Sequence, residues 1–452
     1  MVLDRRAMMI GGAGLGAGLA ATAGPRVALA QGGDANAGLL SVIDFGVRPN
    51  AKNNQTKALQ KAIDVAAKMS AVLHIPGGEY RTGKLTLKSN TIISGVPGRS
   101  VLKFEGDRVS LVAKSAQNIH LTGLMLEGKI ERDNNENNSA LLSADKIESL
   151  IITGCKIVGS GANGISLNKC SGQISDNEIT KAYQTGLFCN DSLGLDISHN
   201  HVHDCGNNGI QVWRSSPGED GTIIAHNHID DIRSEAGGSG ENGNGINVFR
   251  ANDVQITGNR VSDCAFSAIR GNAASNFQVI GNSCARLGEV AIYAEFGFEG
   301  VVITNNLVDK AAMGISVTNF NEGGRMAVVQ GNLVRNLFLR AGDRGVGIAV
   351  EADSMVSGNV IEGAPAAGIQ IGWGKHLRDV SVTGNLIREA RIGIGVSSAP
   401  DAGYAFITNN MISKTKEGGI RAMDHDKPLG PDLAKSSSES YRNIAVFGNV
   451  SL

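Results

Sequence analysis

Val301-Val302-Ile303-Thr304-Asn305-Asn306-Leu307-Val308-Asp309-Lys310-Ala311-Ala312-Met313-Gly314-Ile315-Ser316-Val317 is the stretch that decides the architecture. A β-branched residue stands three before Asn306 and another two after it, and Gly-Ile-x-Val closes the segment. The same frame surrounds Asn177, Asn200, Asn227, Asn259, Asn282, Asn332, Asn359, Asn385, Asn410 and Asn449. Three residues before each is Val or Ile, among them Ile174, Ile197, Ile224, Ile256, Val279 and Val329. Two residues after most of them comes a second β-branched residue, such as Ile179, Val202, Ile229, Val261 or Ile387. Nine steps carry Asn177 to Asn410, so 233 residues divide into repeats of about 26.

Each repeat therefore holds short strands with period-2 alternation, separated by turns. The period is too short for propeller blades and too β-branched for helical repeats. It fits the coils of an all-β, single-stranded parallel β-helix, in which every strand pairs with the ones above and below. The asparagines explain themselves as a ladder: a side-chain amide both donates and accepts, and Asn tolerates the left-handed backbone of a tight turn. The frame continues upstream without Asn, at Ile152…Cys155…Ile157, Leu121…Leu124…Leu126 and Ile93…Val96, giving about 14 coils over residues 72–452. Composition agrees. The chain has 60 glycines and only 4% aromatic residues, as expected of a backbone that turns every few residues around an aliphatic core.

An open stack exposes strand edges and needs caps. Residues 56–69 predict a capping α-helix, with Leu59, Ile63, Ala66 and Met69 on one stripe and Asn53-Asn54 before it. Residues 424–442 break the frame with Pro428, Pro431 and Ser436-Ser437-Ser438, and read as a loop before a last strand at Ile444–Val446.

The N-terminus reads as targeting sequence. Asp4-Arg5-Arg6-Ala7-Met8-Met9 resembles the twin-arginine export signal, a Gly/Ala-rich run follows, and Ala28-Leu29-Ala30 suits cleavage after residue 30. Residues 1–30 are thus a signal peptide, residues 31–452 the β-helix domain, and the destination is the periplasm or the exterior. Membrane contact is confined to the leader before cleavage. The precursor carries 42 basic and 43 acidic residues. Losing Arg5, Arg6, Arg26 and Asp4 leaves 39 against 42, a net charge of −3 that excludes a basic field for nucleic acid. Six cysteines in an exported chain invite disulfides. Cys205 and Cys264, however, fall at equivalent positions two coils apart, about 9.6 Å at ~4.8 Å per strand step, beyond the reach of a disulfide. They read as buried thiols.

Asp44-Phe45-Gly46-Val47, then Asn54-Gln55-Thr56-Lys57-Ala58-Leu59-Gln60-Lys61-Ala62-Ile63, then Ile75-Pro76-Gly77-Gly78-Glu79-Tyr80 resembles the N-terminal segment of the pectate-lyase-like superfamily of right-handed parallel β-helices. With its leader the chain is similar to twin-arginine-exported repetitive β-helix proteins of uncharacterised function. The resemblance implies a right-handed helix and a ligand groove on one strand face. It says little about the reaction. The Asn-Thr-Asp, paired-Asp, Gly-His-Gly and Arg-x-Lys set of polygalacturonases is absent, as is the Asp-Pro-His-Asp signature of alginate epimerases, and no calcium cluster matches.

In Gly-Ile-x-Val, Ile and Val point inward, so x and the residue after Val point outward. Coil by coil this predicts a groove lined by Gln211, Trp213, Arg214, Asn247, Phe249, Arg250, Asn272, Glu351 and Trp373. Aromatic faces suit sugar rings, and Arg, Asn and Gln bind hydroxyls and carboxylates, so the expected partner is a polysaccharide, preferably acidic. Arg270, Tyr293 and Glu295 are the candidate catalytic set: arginine would stabilise charge developing at C5 of a uronate while Tyr293 or Glu295 exchanges the proton. Glu295 and Glu351, two coils or about 9.6 Å apart, sit at the upper limit for an inverting glycosidase pair. A lyase, epimerase or hydrolase is one reading. The other is a non-catalytic envelope solenoid that binds glycan or protein, or a sheet face with a merely stabilising aromatic ladder. No cofactor is implied, although calcium remains compatible. His199, His201 and His203, with His226 and His228 a coil on, read as a solvated face, and no metal ligand is assigned.

Overall fold

In each coil the residue just before the ladder asparagine, not the asparagine itself, takes the left-handed conformation. Asp176, His199, His226, Asn305 and Asn409 have φ between 55° and 58°, and glycine fills the same place at Gly258, Gly281, Gly331, Gly358, Gly384 and Gly448. This corrects the expected role of the ladder residue. Freed from turning the chain, its amide spans neighbouring coils. Asn306 Oδ1 accepts from the backbone N–H and Nδ2 of Asn282 at 2.9 and 3.0 Å, while Asn306 Nδ2 donates to Asn332 Oδ1 at 3.0 Å and Val279 O at 2.9 Å. The pattern repeats from Asn177 to Asn410 and ends on Asn449. Upstream, where no Asn is present, the Cys155 amide makes the first bond to Asn177 Oδ1 at 2.9 Å.

The computed structural model describes residues 38–106, 111–129, 139–238, 240–340 and 345–452; the expected leader at residues 1–30 lies outside them. Residues 38–452 wind as one solenoid of about 13 turns. One sheet has 16 strands and the other 26, the larger one occupying two faces of each turn. Among the described strands every pairing is parallel except a terminal hairpin, Ile420–Asp424 with Lys427–Leu429. The register is the one the sequence frame demands. Ile174, Ile197, Ile224, Ile256, Val279, Ile303, Val329 and Val356 form one continuous file. Ile179, Val202, Ile229, Val261 and Cys284 belong to a second, and Ile165, Leu187, Ile210, Ile246, Ile269, Ile292 and Ile315 run through a third. All are buried. Each such side chain contributes about 1.5–3 kcal/mol by leaving water, so the stack is held by a long aliphatic core with three walls.

The glycine of Gly-Ile-x-Val has a steric cause. A Cβ on Gly314 would lie 2.2 Å from the Gly347 carbonyl and 2.6 Å from Val334 Cγ1, and one on Gly347 would lie 2.4 Å from the Gly368 carbonyl. The β-branched residue after each ladder Asn fills the space a side chain here would need.

The helix spans Thr56–Lys68 and buries Leu59, Ala62, Ile63, Ala66 and Ala67. Met69 belongs to the C-cap and is exposed, because the helix ends one residue before the stripe would return to the core. Asn54 Oδ1 accepts the Thr56 amide at 3.0 Å. Gln60 exchanges two 2.8 Å bonds with the backbone of Thr86, so a side chain satisfies the edge of the strand Leu85–Leu87. At the other end the interrupted segment closes the stack. The Asp432 carboxylate accepts the amides of Gly419 and Ile420 at 2.8 and 2.9 Å, and Leu433 is buried behind them. The six cysteines are free and buried, with Ile232 lying between Cys205 and Cys264 on one file. Burial pushes the Cys205 and Cys284 thiols up to about 12.

Candidate functional site

The Gly-Ile-x-Val strands stack so that the x residues form a file: Ser166, Phe188, Gln211, Asn247, Arg270, Tyr293, Ser316, Ala349, Gln370. A second file runs beside it through Asn168, Asn190, Trp213, Phe249, Asn272 and Glu295. Residues spread over 205 positions of sequence, from Ser166 to Gln370, become neighbours on one face.

They are not equally available. A loop inserted before Asn244 lengthens the Asn227–Asn259 coil to 32 residues against the usual 26 or so, and it folds back onto the face. Asn208 and Asn247 donate to the Glu241 carbonyl at 3.1 and 3.2 Å, and Asn244 donates to the Gly240 carbonyl at 2.8 Å. Gly240 lies so close over Arg270 that a Cβ there would fall 2.1 Å from Nη1. The loop thus roofs the centre of the groove. Gln211, Asn247 and Arg270 are buried beneath it or beside it.

The three residues assigned to catalysis meet, and they meet each other. Arg270 Nε and Nη2 donate to Glu295 at 2.6 and 2.8 Å, and Nη1 donates to Glu289 at 3.1 Å. Asn272 adds a 3.0 Å bond to Glu295, and the guanidinium lies 5.0 Å over the Tyr293 ring. Glu295 is 3% exposed and Arg270 7%. Burial opposes the arginine charge, but the two carboxylates more than offset it and hold the guanidinium above its usual range. Burial, and secondarily the Glu295 charge, push the Tyr293 phenol up, which opposes the phenolate a general base requires. A bidentate, dry ion pair of this kind is a closed structural unit.

Around the roofed centre is a more open strip. Trp213 meets Phe188 edge-on at 5.7 Å and Phe249 at 5.5 Å, and Arg250 lies 4.6 Å over the Phe249 ring. Trp213, Arg214, Phe249, Arg250 and Asn272 are all partly exposed. Arg214 and Arg250 turn away from Arg270. Arg214 donates to Ser192 O at 3.3 Å and stands 3.8 Å from Asp220, whereas Arg250 donates to Ser215 O at 3.3 Å. The three arginines thus serve separate contacts. Sequence reasoning missed Asp220, which is 1% exposed and has an Oδ2 without a hydrogen-bond partner. Burial pushes its carboxyl up, against the nearby Arg214 charge.

The remaining predicted residues lie elsewhere. Trp373 follows the strand that ends at Ile371, six rungs from Trp213 and therefore about 29 Å away at ~4.8 Å per rung. It packs on His425 at 4.9 Å. Glu351, two rungs from Glu295, accepts the Phe320 amide at 2.7 Å. With Glu295 committed to Arg270, the pair does not present two free carboxylates across a groove.

A model described as rhamnogalacturonase A/epimerase, pectate-lyase-like, matches residues 39–270, and one described as a right-handed β-helix region matches residues 218–387. The chain belongs to the pectate-lyase-like family of right-handed parallel β-helices. No curated protein matches it. Among solved structures, the pre-mature gene product 12 of bacteriophage phi29 aligns with a TM-score of 0.54 at 14% identity, over 91% of this chain and 56% of that one. The catalytic unit of an α-1,3-glucanase from Streptomyces thermodiastaticus aligns at 0.48 and 18% identity, over 93% and 70% of the two chains. A surface adhesin of Streptococcus pneumoniae aligns at 0.47 and 14%, over 87% and 95%. These likenesses are of fold alone, and they leave the family's β-helix as a scaffold whose site must be read from its own residues.

Proposed function

We propose that this pectate-lyase-like chain is an exported polysaccharide-binding protein, and that it holds an acidic polymer along the strip of Trp213, Arg214, Phe249, Arg250 and Asn272. The observation that carries the reading is the partly exposed pair Trp213 and Phe249, backed by the buried Phe188 ring and with Arg250 against its end, in a chain with few other aromatics. Flat apolar faces beside cationic donors suit pyranose rings bearing carboxylates. The family's name, shared with rhamnogalacturonase and epimerase, is in keeping with a carbohydrate ligand. Export rests on Arg5-Arg6 and the Gly/Ala run that follows.

Binding without turnover is favoured over catalysis because Arg270, held under the loop, and Glu295 satisfy each other, with the Tyr293 ring packed against the guanidinium. An active centre keeps at least one such group directed at substrate. The test pairs two measurements on the same polymers, pectin, alginate and other uronans. Binding is expected, weakened at least tenfold by Trp213→Ala, with no absorbance from unsaturated ends and no new reducing ends. Unchanged affinity in Trp213→Ala would remove the strip. Turnover that is lost in Glu295→Gln would restore the catalytic reading.

A further inference from the structure

On the face formed by the strands that follow the ladder asparagines, His201 and His228 occupy the same position of successive rungs. Their rings stack at 4.7 Å with an interplanar angle of 10°. Both Nε2 atoms are directed at one oxygen, Asp230 Oδ1, at 2.9 Å from His201 and 3.5 Å from His228. We propose that His201, His228 and Asp230 form a binding site for a divalent transition-metal ion of the zinc class, outside the polysaccharide strip.

Three observations carry it. The first is distance: the three ligand atoms lie within 4.8 Å of one another, the one such group of His, Cys or carboxylate side chains among the described residues. Two atoms each ~2.0–2.1 Å from a tetrahedral ion are about 3.3 Å apart, and the two observed nitrogen–oxygen separations fall on either side of that value. The second is rigidity. The ligands come from paired strands whose register is fixed by the core, and His203 stacks on His201 at 4.2 Å, so little ordering is required on binding. The third is that the fold does not require imidazoles here. Farther along, the same file is Leu307, Leu333, Val360, Leu386, Met411 and Val450, so the scaffold accepts plain aliphatics at this position. Two imidazoles and one carboxylate suit Zn²⁺, Co²⁺, Ni²⁺ or Cu²⁺ and do not suit Ca²⁺ or Mg²⁺, which take oxygen. Three protein ligands leave a coordination position for water. Glu178 is engaged by Lys156 at 2.7 Å, and Arg260, next in the file, is the cation that weakens the site.

The test is equilibrium dialysis of the full chain with Zn²⁺ and, in parallel, visible absorbance with Co²⁺. One ion per chain is expected, with Ca²⁺ failing to compete. His201→Leu and His228→Leu, chosen because leucine already occupies this file, should each weaken binding at least tenfold while far-UV circular dichroism and the melting transition stay as in the parent. Asp230→Asn should also weaken it. His199→Ala, which removes a histidine that stacks only on His226, should leave it unchanged. Absence of saturable binding up to about 1 mM, or binding that survives the double His201→Leu/His228→Leu change, would overturn the assignment.

Discussion

Asn306→Ala tests the ladder on which the solenoid depends. The substitution removes four hydrogen bonds, two accepted from Asn282 and two donated to Val279 O and Asn332 Oδ1. Not all four partners are stranded. Asn282 Nδ2 retains the carbonyls of Ile256 and Ile280, and Asn332 Oδ1 retains the Asn306 amide. The Asn282 amide and the Val279 carbonyl lose the bonds shown for them, at a site where Asn282 is 1% exposed. At about 1–3 kcal/mol for each unsatisfied buried group, the expected loss is about 2–6 kcal/mol. Asn449→Ala supplies the internal control. It too leaves two groups behind, the Asn410 amide and Ile407 O, but at the partly exposed end of the ladder, where water can replace the amide, so about 1 kcal/mol is expected. Urea unfolding followed by far-UV circular dichroism measures both. Because solenoids unfold by neighbouring repeats, the slope of the transition should be compared as well as its midpoint. If Asn306→Ala and Asn449→Ala lose the same amount, or if Asn306→Ala changes stability by less than ~0.5 kcal/mol, the range of an ordinary surface change, the ladder is not what holds these coils.

Breaking the buried pair by Arg270→Ala or Glu295→Ala is expected to lose about 3–5 kcal/mol, with the Arg270→Met/Glu295→Leu double change losing less than either single, as read from melting curves. Asp220 has a raised carboxyl, so its burial weakens the fold once pH rises through that raised value. Asp220→Asn should therefore be more stable than the parent at pH 7, with the gain disappearing below about pH 4, the unfolded range of aspartate. Asp353 is shifted the other way, chiefly by Arg378 and then Arg325. Its contribution is present above about pH 4 and lost as pH falls further, so Asp353→Asn should flatten part of the acid limb of the stability profile. The six buried thiols should resist a thiol reagent in the native state and react in urea; rapid native labelling would show that the core opens.

Much of the fold could be read before any coordinates because the repeat fixes register. Once Ile303 and Val308 are placed inward in one coil, their equivalents follow in all, and the outward file from Ser166 to Gln370 is determined with them. What escaped was whatever the repeat does not encode. The repeat frame does not set the path of the insertion before Asn244, so nothing in the periodicity said that it would lie over Arg270. Outward was therefore mistaken for exposed. The left-handed turn was one residue away from where Asn chemistry alone would put it, since the asparagine stands between the left-handed residue and the start of the next strand, where its amide spans the coils. Met69 fell outside the core because helical periodicity does not report where the helix stops. Asp230 went unnoticed because it joins the histidines diagonally across two rungs, a relation visible only when both strands are in place.

The asparagine ladder also has a direction. Each side-chain oxygen receives the donors of the turn before it, so a newly made turn always offers N–H groups that wait for the following one. A chain emerging from the ribosome with its helical plug already seated would carry a single incomplete rung at its growing tip, wherever synthesis had reached. Cutting the molecule in the middle bares the core of both halves but is not symmetric in the ladder: the N-terminal fragment would end on unanswered donors, the C-terminal one would begin with an unused acceptor. The first resembles a normal stage of growth. The second has no such stage to resemble.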